Sequence, residues 1–233
     1  MTAPNLQAAP AEWLQPILYQ DDDLVVVNKP SGLAVHRGMT QDKVVAMTVL
    51  RDQLGQYVYP IHRLDRGASG ALLFALSSQM AAQLNALFEQ SQLTKHYLLL
   101  CRGVPADEGF IDHPVPRSEG GERVAAQTSY RRLQTIERYS LCEAQPHTGR
   151  FHQLRRHLKH LGHPLIGDVN YGQGSLNREF RQRFALHRLA LHAARLQLIH
   201  PRTQEPLCIT APLPADLAQP LLQMGFALPH AGS

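Results

Sequence analysis

Cysteine is scarce in the sequence, with three residues among 233, Cys101, Cys142 and Cys208. Their number is odd and no two form a C-x-x-C pair, which excludes a zinc knuckle and a disulfide framework. We expect three reduced, buried thiols in a cytoplasmic protein. The chain also lacks an apolar run long enough to span a membrane, and its N-terminus lacks the basic and apolar stretches of a secretory leader.

Sequence signatures of several enzyme classes are missing as well. The chain has no Walker loop and no dinucleotide-binding glycine fingerprint, so neither nucleotide-binding fold is predicted. Ser69 lacks the G-x-S-x-G context of a hydrolase nucleophile, and no cysteine lies beside a suitable histidine. The net charge is only +4, with a pI near 9.1. This excess permits a polyanionic partner without establishing one, so the distribution of charge matters more than its sum.

The apolar pattern predicts more strands than helices. Hydrophobic residues make up 44% of the chain, enough for a substantial core. Helices are expected at 43–54, at 77–93, at about 150–161 and near the C-terminus. Strands are expected at ILYQ, LVVVNK, LAVHR, ALLFALS, KHYLLLCRG and LHAARLQLIHP, and in a hairpin formed by TSYRRLQTIERYSLCEAQP. Because many neighbouring strands are joined by short turns, the predicted fold class is α+β with a largely antiparallel or mixed sheet.

The stretch HRLDRGASG, residues 62–70, places one acid among arginines. If this segment is extended, Arg63 and Asp65 point to one face and Leu64 to the other. Arginines beside a carboxylate keep it ionised, so Asp65 would be a poor proton donor but a usable nucleophile. A structural ion pair at a strand end explains these nine residues equally well. The small residues 67–70 would let another molecule approach the backbone.

The predicted helix at 150–161 carries charge of one sign. Leu154, Leu158 and Leu161 form its apolar stripe, at i, i+4 and i+7. Its start and its polar face carry Arg150, His152, Arg155, Arg156, Lys159 and His160. No acid occurs between residues 143 and 168, whereas a solvated helix face normally mixes signs. A face of this kind fits the phosphate backbone of a nucleic acid.

The histidines of this region leave a metal site open as an alternative. His157, His160 and His163 are three residues apart, a spacing that could bring imidazoles together. His163, however, lies beyond the helix stop at Gly162, no acidic ligand is near, and the arginines would repel a cation. We therefore expect no metal.

Two further features have ordinary structural explanations. Tyr97, at the start of a predicted strand, is either a core aromatic or a platform for a stacked base. Asp21, Asp22 and Asp23 are expected to form a solvated turn rather than a metal loop, because they lack spaced oxygen ligands.

Four motifs occur in a fixed order along the chain. They are HRLDR-x-x-SG from residue 62, K-x-Y at 95–97, TGR-x-HQLR at 148–155 and GHPLIGD at 162–168, preceded by NKPSG at 28–32. In this combination the chain resembles the RluA-type pseudouridine synthases, over residues 17–212. VHR at 35–37, RDQLGQ at 51–56 and RRHLKHLGHPLIGD at 155–168 most resemble the members that act on transfer RNA at uridine 65.

The resemblance implies isomerisation of a uridine in folded RNA to pseudouridine, without a cofactor or a metal. It implies a central, mostly antiparallel mixed sheet flanked by helices, with a catalytic cleft. One catalytic domain is expected at 14–222, between loose tails at 1–13 and 223–233. We expect RNA as the partner, transfer RNA above all, no membrane association, and a monomer.

The resemblance also assigns roles to individual residues. Asp65 would be the nucleophile, and Arg63 would enter the RNA stack when the uridine is flipped out. Tyr97 would stack on the flipped base and assist proton transfer, Arg155 would pair with Asp65 and orient it, and Leu154 would form a pocket wall. The expected RNA contacts are completed by Arg66, Arg150, Arg156 and Lys159.

One position departs from the family pattern, and several alternatives remain. Ala68 stands where the family usually has threonine, and the missing hydroxyl either supported the turn or positioned a substrate group. The substrate could instead be ribosomal RNA or another transfer RNA site, since motifs report weakly on substrate choice. A non-catalytic RNA-binding module would need the basic helix but not Asp65, and a metal hydrolase would use the histidines.

Overall fold

The computed structural model describes residues 13–37 and 44–228. Most of the predicted N-terminal tail, and residues 229–233 of the predicted C-terminal tail, lie outside these ranges. Residues 224–228 follow the last helix, and Phe226 is buried among them. The division into one domain and two tails stays a prediction.

The described residues form five helices and twelve strands. The helices are α1 (Ala46–Leu54), α2 (Ser78–Glu89), α3 (Gln153–His160), α4 (Gly174–Phe184) and α5 (Ala215–Gln223). The strands are β1 (Ile17–Gln20), β2 (Leu24–Lys29), β3 (Tyr59–Pro60), β4 (Ser69–Ala75), β5 (Thr94–Arg102), β6 (Glu108–Asp112), β7 (Val115–Pro116), β8 (Arg123–Val124), β9 (Gln127–Ile136), β10 (Tyr139–Pro146), β11 (Leu191–Ile199) and β12 (Pro206–Thr210). No helix of this described part is long and apolar enough to cross a membrane.

One large mixed sheet organises the molecule. Its strand order is β1-β2-β4-β11-β5-β10-β9-β6, with β12 beside β11 and β3 beside β4. The pairing of β4 with β11 is parallel, and the other strand pairs of this sheet are antiparallel. The predicted α+β class with a mostly antiparallel sheet is therefore confirmed. The parallel pair lies near the centre of the sheet, and its two strands, β4 and β11, are far apart in the sequence.

Helices cover both faces of the sheet, which explains why its central strands are apolar on both sides. On one face, α1 and α3 pack through Leu50 and Leu158 against Val27, Phe74 and other core residues. On the other face, two clusters form, one under α2 and one under α4 and α5. Successive residues of a strand therefore belong to different clusters, as the two-residue period of a strand requires.

Several sequence expectations are corrected by the structure. LAVHR forms no strand, and α4 and β12 were not predicted. The basic helix begins at Gln153 rather than near Arg150, because His152 has a left-handed φ of 52° just before it. Leu161, expected in the apolar stripe, is 36% exposed, whereas the other two leucines are buried. Cys208 is exposed rather than buried.

The small residues after Asp65 are needed by the protein's own chain. Gly70 has a φ of +115°, and a Cβ built on it would lie 2.3 Å from the carbonyl oxygen of Ala193 on β11. At Gly67, the corresponding distance to the Cβ of Leu189 is 3.1 Å. The close approach predicted for another molecule is thus made by β11 and the segment before it.

We expect Gly70→Ala to lower the free energy of unfolding by about 3 kcal/mol, through backbone strain and a backbone clash. Gly55→Ala is the matched control, since its φ is +68° but a Cβ there meets nothing within 4 Å. The control should lose only about 1 kcal/mol. Urea denaturation of both variants measures the difference, and equal losses would show that the β4–β11 contact is not the cause.

Candidate active site

The loop that carries Asp65 is held from below by the NKPSG turn. Lys29 is fully buried, and its Nζ donates to the carbonyl oxygens of Pro30 at 2.9 Å and Leu33 at 2.7 Å. Ser31 Oγ donates to the Gly67 carbonyl at 2.7 Å, and the N–H of Gly32 donates to the Arg66 carbonyl at 2.8 Å. These bonds fix the backbone on the C-terminal side of Asp65 before any substrate arrives.

Ala68 lies inside this loop and closes its turn. Its N–H donates to the carbonyl oxygen of Asp65 at 3.0 Å, and its methyl group is 1% exposed in the core. The turn is therefore closed by a backbone hydrogen bond without a side-chain hydroxyl. Of the two roles considered for the missing threonine hydroxyl, turn support is not required in this chain.

A chain of charged groups connects Asp65 to the helix α3. Nη1 of Arg155 donates to Oδ2 of Asp65 at 3.2 Å. Nε and Nη2 of Arg155 donate to the two carboxylate oxygens of Asp168, each at 2.7 Å. The Asp168 side chain is fully buried, that of Arg155 is 7% exposed and that of Asp65 is 20% exposed. The predicted contact between Arg155 and Asp65 is present, with a second acid behind it.

Asp168 is fixed by its own neighbours. The backbone N–H groups of Asn170 and Tyr171 donate to its Oδ1, at 2.9 and 3.1 Å. Burial alone would raise the pKa of Asp168, but the bidentate bond from Arg155 and these N–H groups hold it below its usual value. Asp168 is thus a permanent anion, and it fixes the plane of the guanidinium.

Tyr97 lies on β5, on the same face of the sheet as α3. It is 8% exposed, and its cross-strand neighbours are Ala144 and Ala193, so no bulky side chain flanks the ring within the sheet. Burial, and then the negative charge of Asp65, raise the pKa of Tyr97. The phenol is therefore protonated at neutral pH and can donate a proton but cannot begin as a base.

The imidazole of His152 faces the other oxygen of Asp65, and further aromatic rings pack beside it. Nε2 of His152 lies 4.0 Å from Oδ1 of Asp65, and the imidazole stacks on Phe151 at 3.8 Å between ring centres. The guanidinium of Arg63 lies 5.9 Å from the Phe151 ring centre and is exposed. Nε of Arg156 donates to the Tyr171 hydroxyl at 2.8 Å. The mouth of the site thus combines cations with flat rings, which suits stacked bases.

The remaining predicted contact residues lie at varying distances from the carboxylate. Leu154 is buried in the core face of α3, and Lys159 is exposed on the same helix. Nε of Arg150 donates to the Ala125 carbonyl at 3.2 Å, so this arginine also braces the segment between β8 and β9. Arg66 is exposed, and its Nε donates to the Gly32 carbonyl at 2.9 Å.

The histidines proposed as metal ligands have other partners. Both ring nitrogens of His157 are engaged, one with the Thr128 hydroxyl and one with the His113 carbonyl, each at 2.9 Å. His160 stacks on His113, and Nδ1 of His163 lies 3.0 Å from the Arg102 carbonyl. Among the described residues, these three side chains do not form a common set of ligands.

Another group in the described residues could approach a cation, but its chemistry argues against one. Ligand atoms of Asp21, Asp23 and His200 lie within 4.8 Å of one another. Nδ1 of His200 accepts the N–H groups of Arg202 and Thr203, so a neutral ring carries its proton on Nε2, facing Asp21 at 3.1 Å. A ring in this state carries a proton on Nε2 and offers no lone pair there to a metal. Asp23 is buried, although the sequence predicted a solvated turn.

Comparison with known proteins decides the family. A sequence model of the family described as RNA pseudouridylate synthase matches residues 23–160. The chain belongs to this family. It is an enzyme that isomerises uridine to pseudouridine in RNA, and its resemblance to the RluA-type synthases is confirmed. This assignment replaces the alternatives of a non-catalytic RNA-binding module and a metal hydrolase.

Individual relatives support the assignment over most of the chain. A tRNA pseudouridine synthase C from Salmonella typhimurium is 45% identical over 90% of this chain and 90% of its own length. Its counterpart from Vibrio cholerae is 43% identical over 84% and 90%, respectively. Among solved structures, human RNA pseudouridylate synthase domain-containing 4 superposes with a TM-score of 0.75, at 28% identity, over 92% of this chain and 94% of its own.

Three residues of this pseudouridine synthase touch the central chain of contacts although no sequence pattern indicated that role. Asp168 was quoted only as the end of a motif, although it is the first acid after the one-sign helix, and such an acid is a natural partner for a buried arginine. His152 was counted as part of a basic face. Tyr171 carried no signal, because its partners are separated from it by a loop.

The pseudouridine synthase should become more stable with rising pH because of Lys29. Burial lowers the pKa of Lys29 to about 7, whereas a lysine in the unfolded chain titrates near 10.4. Between these values the unfolded state binds more protons, so stability rises with pH. The difference in unfolding free energy between the native protein and Lys29→Met should grow by about 1 kcal/mol per unit from pH 7 to pH 9.

Urea denaturation at pH 7, 8 and 9 measures this difference. Lys159→Met is the matched control for the loss of a lysine side chain, because this lysine is exposed. A flat difference for Lys29→Met would mean that the buried amine keeps its proton throughout.

Proposed function

We propose that this enzyme converts a uridine of transfer RNA to pseudouridine, at position 65 of the RNA, with the carboxylate of Asp65 as the nucleophile. The proposal is carried by the ionised chain Asp65–Arg155–Asp168, which presents one partly exposed carboxylate beside Tyr97. The substrate class is supported by the relatives named tRNA pseudouridine synthase C, which share more than 40% of their residues with the chain.

The target uridine must leave the RNA stack before its glycosidic bond can be broken and rebuilt at carbon. Extrusion of a base costs a few kcal/mol. Arg63 is exposed at the mouth, with its guanidinium over Phe151, and it can fill the gap left in the stack. Tyr97 offers a flat face for the flipped base, and stacking contributes about 1–3 kcal/mol. Together, these contacts can offset the cost of extrusion.

Arg155 orients the nucleophile rather than reacting itself. Its guanidinium is already bound by both oxygens of Asp168, so its remaining Nη1 points in one direction, towards Asp65. A carboxylate held in this way keeps a defined plane. Leu154, one residue earlier on α3, is buried and contributes to the wall behind the site.

Tyr97 is assigned to stacking and to proton donation. Because its pKa is raised by burial and by Asp65, the hydroxyl holds its proton through the pH range of the reaction. It can therefore supply a proton to the uracil or relay one. Removal of the proton from the carbon that becomes bonded to ribose requires a group that is basic at that stage.

The RNA backbone is proposed to lie along the exposed cations near the mouth. Arg66, Arg150 and Lys159 are exposed, and Arg156 is half-buried between two aromatic rings. Cations of this kind bind phosphates without reading sequence. A cytoplasmic location and a monomeric state are part of the proposal.

We expect Asp65→Asn to abolish pseudouridine formation while RNA binding persists, since the amide keeps the shape and loses the nucleophile. Position-resolved mapping of pseudouridine in transfer RNA incubated with the purified enzyme, with EDTA present, measures both the activity and the site. Modification at another position, or only in ribosomal RNA, would overturn the substrate assignment. Undiminished turnover by the variant would overturn the role of Asp65.

The orienting role of Arg155 predicts a loss in chemistry rather than in binding. Arg155→Lys keeps the charge but loses the planar fork that binds both oxygens of Asp168 while Nη1 reaches Asp65. The single-turnover rate at saturating RNA should therefore fall by about 100-fold, with little change in Kd. Lys159→Met, on the exposed side of the same helix, should weaken binding slightly and leave that rate unchanged. A normal saturating rate in Arg155→Lys would contradict the orienting role.

A further inference from the structure

His152 occupies a backbone conformation that few side chains adopt. Its φ of 52° and ψ of 32° are left-handed, immediately before the first turn of α3. A residue with a Cβ loses about 1–2 kcal/mol in this region relative to an ordinary helical conformation. Such strain persists where the surroundings fix it, often at functional sites. At this position it accompanies an imidazole that lies between Asp65 and an aromatic cluster.

The imidazole of His152 is held on three sides. Its face stacks on Phe151, with ring planes inclined by 22°. Its Nδ1 lies 3.1 Å from the Tyr171 hydroxyl, and its Nε2 lies 4.0 Å from Oδ1 of Asp65. The side chain is 18% exposed, nearly the same as Asp65. The ring is therefore fixed in position, and its free nitrogen faces the carboxylate oxygen that Arg155 does not contact.

The partners of Tyr171 favour one tautomer of the imidazole. Nε of Arg156 can only donate, so the Tyr171 oxygen accepts that bond. The hydroxyl proton of Tyr171 is then available to Nδ1 of His152. A neutral imidazole that accepts at Nδ1 carries its own proton on Nε2. In this tautomer the Nε2–H group is directed at Asp65, whose carboxylate accepts a hydrogen bond but would repel the lone pair of a bare Nε2.

We propose that His152 is a positioning residue that donates its Nε2–H to Oδ1 of Asp65 when RNA is bound. This inference rests on the proposed role of Asp65 as the nucleophile. Arg155 holds Oδ2 and His152 holds Oδ1, so the two donors fix the plane of the carboxylate from opposite sides. The distance of 4.0 Å is that of the free enzyme, and contacts of this kind tighten when the substrate closes the site.

Protonation of His152 would disrupt this arrangement. The charged groups facing the ring are Asp65 and Asp168, which favour the imidazolium, and Arg155 and Arg156, which oppose it. Burial is the largest influence and lowers the pKa of His152, so the ring is neutral at pH 7. In acid, the imidazolium would form a full ion pair with Asp65 and neutralise its charge. It would also carry a proton on Nδ1 and could no longer accept a hydrogen bond from the Tyr171 hydroxyl. The catalytic rate should then fall in acid, at a lower pH than the titration of an unperturbed histidine.

Two substitutions at this position separate positioning from bulk structure. His152→Gln places an amide N–H near the position of Nε2 and cannot titrate, whereas His152→Leu removes the donor. Single-turnover rates at saturating transfer RNA are measured from pH 5 to 8, with Kd measured in parallel. We expect the leucine variant to lose about 10- to 100-fold in rate, with Kd unchanged. The glutamine variant should keep most of the rate and should not show the fall in rate at low pH (the acid limb of the pH profile).

Two further variants serve as controls for the substitutions of His152. His187→Leu removes an exposed histidine outside the site and should behave like the native enzyme. Tyr171→Phe leaves the imidazole in place and removes the proton offered to Nδ1, so it should lower the rate several-fold and act non-additively with His152→Leu. It tests the proposal even where the leucine variant fails to fold.

The inference is overturned if His152→Leu keeps the native rate, if it changes only Kd, or if His152→Gln retains the acid limb. Independent effects of the Tyr171 and His152 substitutions would also contradict it. Failure of the proposed nucleophile is recognised separately, because Asp65→Asn would then remain active whatever the result at position 152.

Discussion

The contact on which the site depends is the placement of Arg155 between two carboxylates. A buried ion pair gains little overall unless its geometry is good and its remaining hydrogen-bonding groups are satisfied. Here Asp168 takes two N–H groups at 2.7 Å and is itself bound by backbone N–H groups, so the guanidinium is fully oriented before it meets Asp65. One arginine thereby joins a loop, a helix and a turn that lie far apart in the sequence.

The loop that carries Asp65 is held equally firmly from its other side. Lys29 and Ser31 hold its backbone from the NKPSG turn. Ser69, where β4 begins, binds Nη2 of Arg188 and Nδ1 of His192, at 2.7 and 2.8 Å. These groups come from the segments that form the parallel β4–β11 pair, where Gly70 permits close backbone contact. The rigid support lies beneath the site, whereas the exposed cations lie at its mouth, where the RNA must be accommodated.

Much of this site could be predicted from the sequence, because local pattern determines local structure. The two-residue alternation of side chains in an extended segment predicted that Arg63 and Asp65 lie outside the core, opposite Leu64. The helical spacing of the leucines predicted that α3 packs on the sheet. Contacts that depend on tertiary distance could not be found in this way. The pairing of Arg155 with Asp168 needs the turn after α3, and the left-handed conformation of His152 is not a preference of histidine. These features arise from packing, which overrides local propensity.

Asp65 lies among several arginines, but these arginines do not simply neutralise its charge. Arg63 and Arg66 face outwards, and Arg155 shares its single positive charge between two carboxylates. With His152 neutral, this chain of contacts carries two negative charges and one positive charge. Asp65 is therefore oriented by a cation without being neutralised by it, since Asp168 binds that cation more closely, at 2.7 Å against 3.2 Å. The proposed role of Asp65 as a nucleophile needs both conditions, and the second acid makes them compatible.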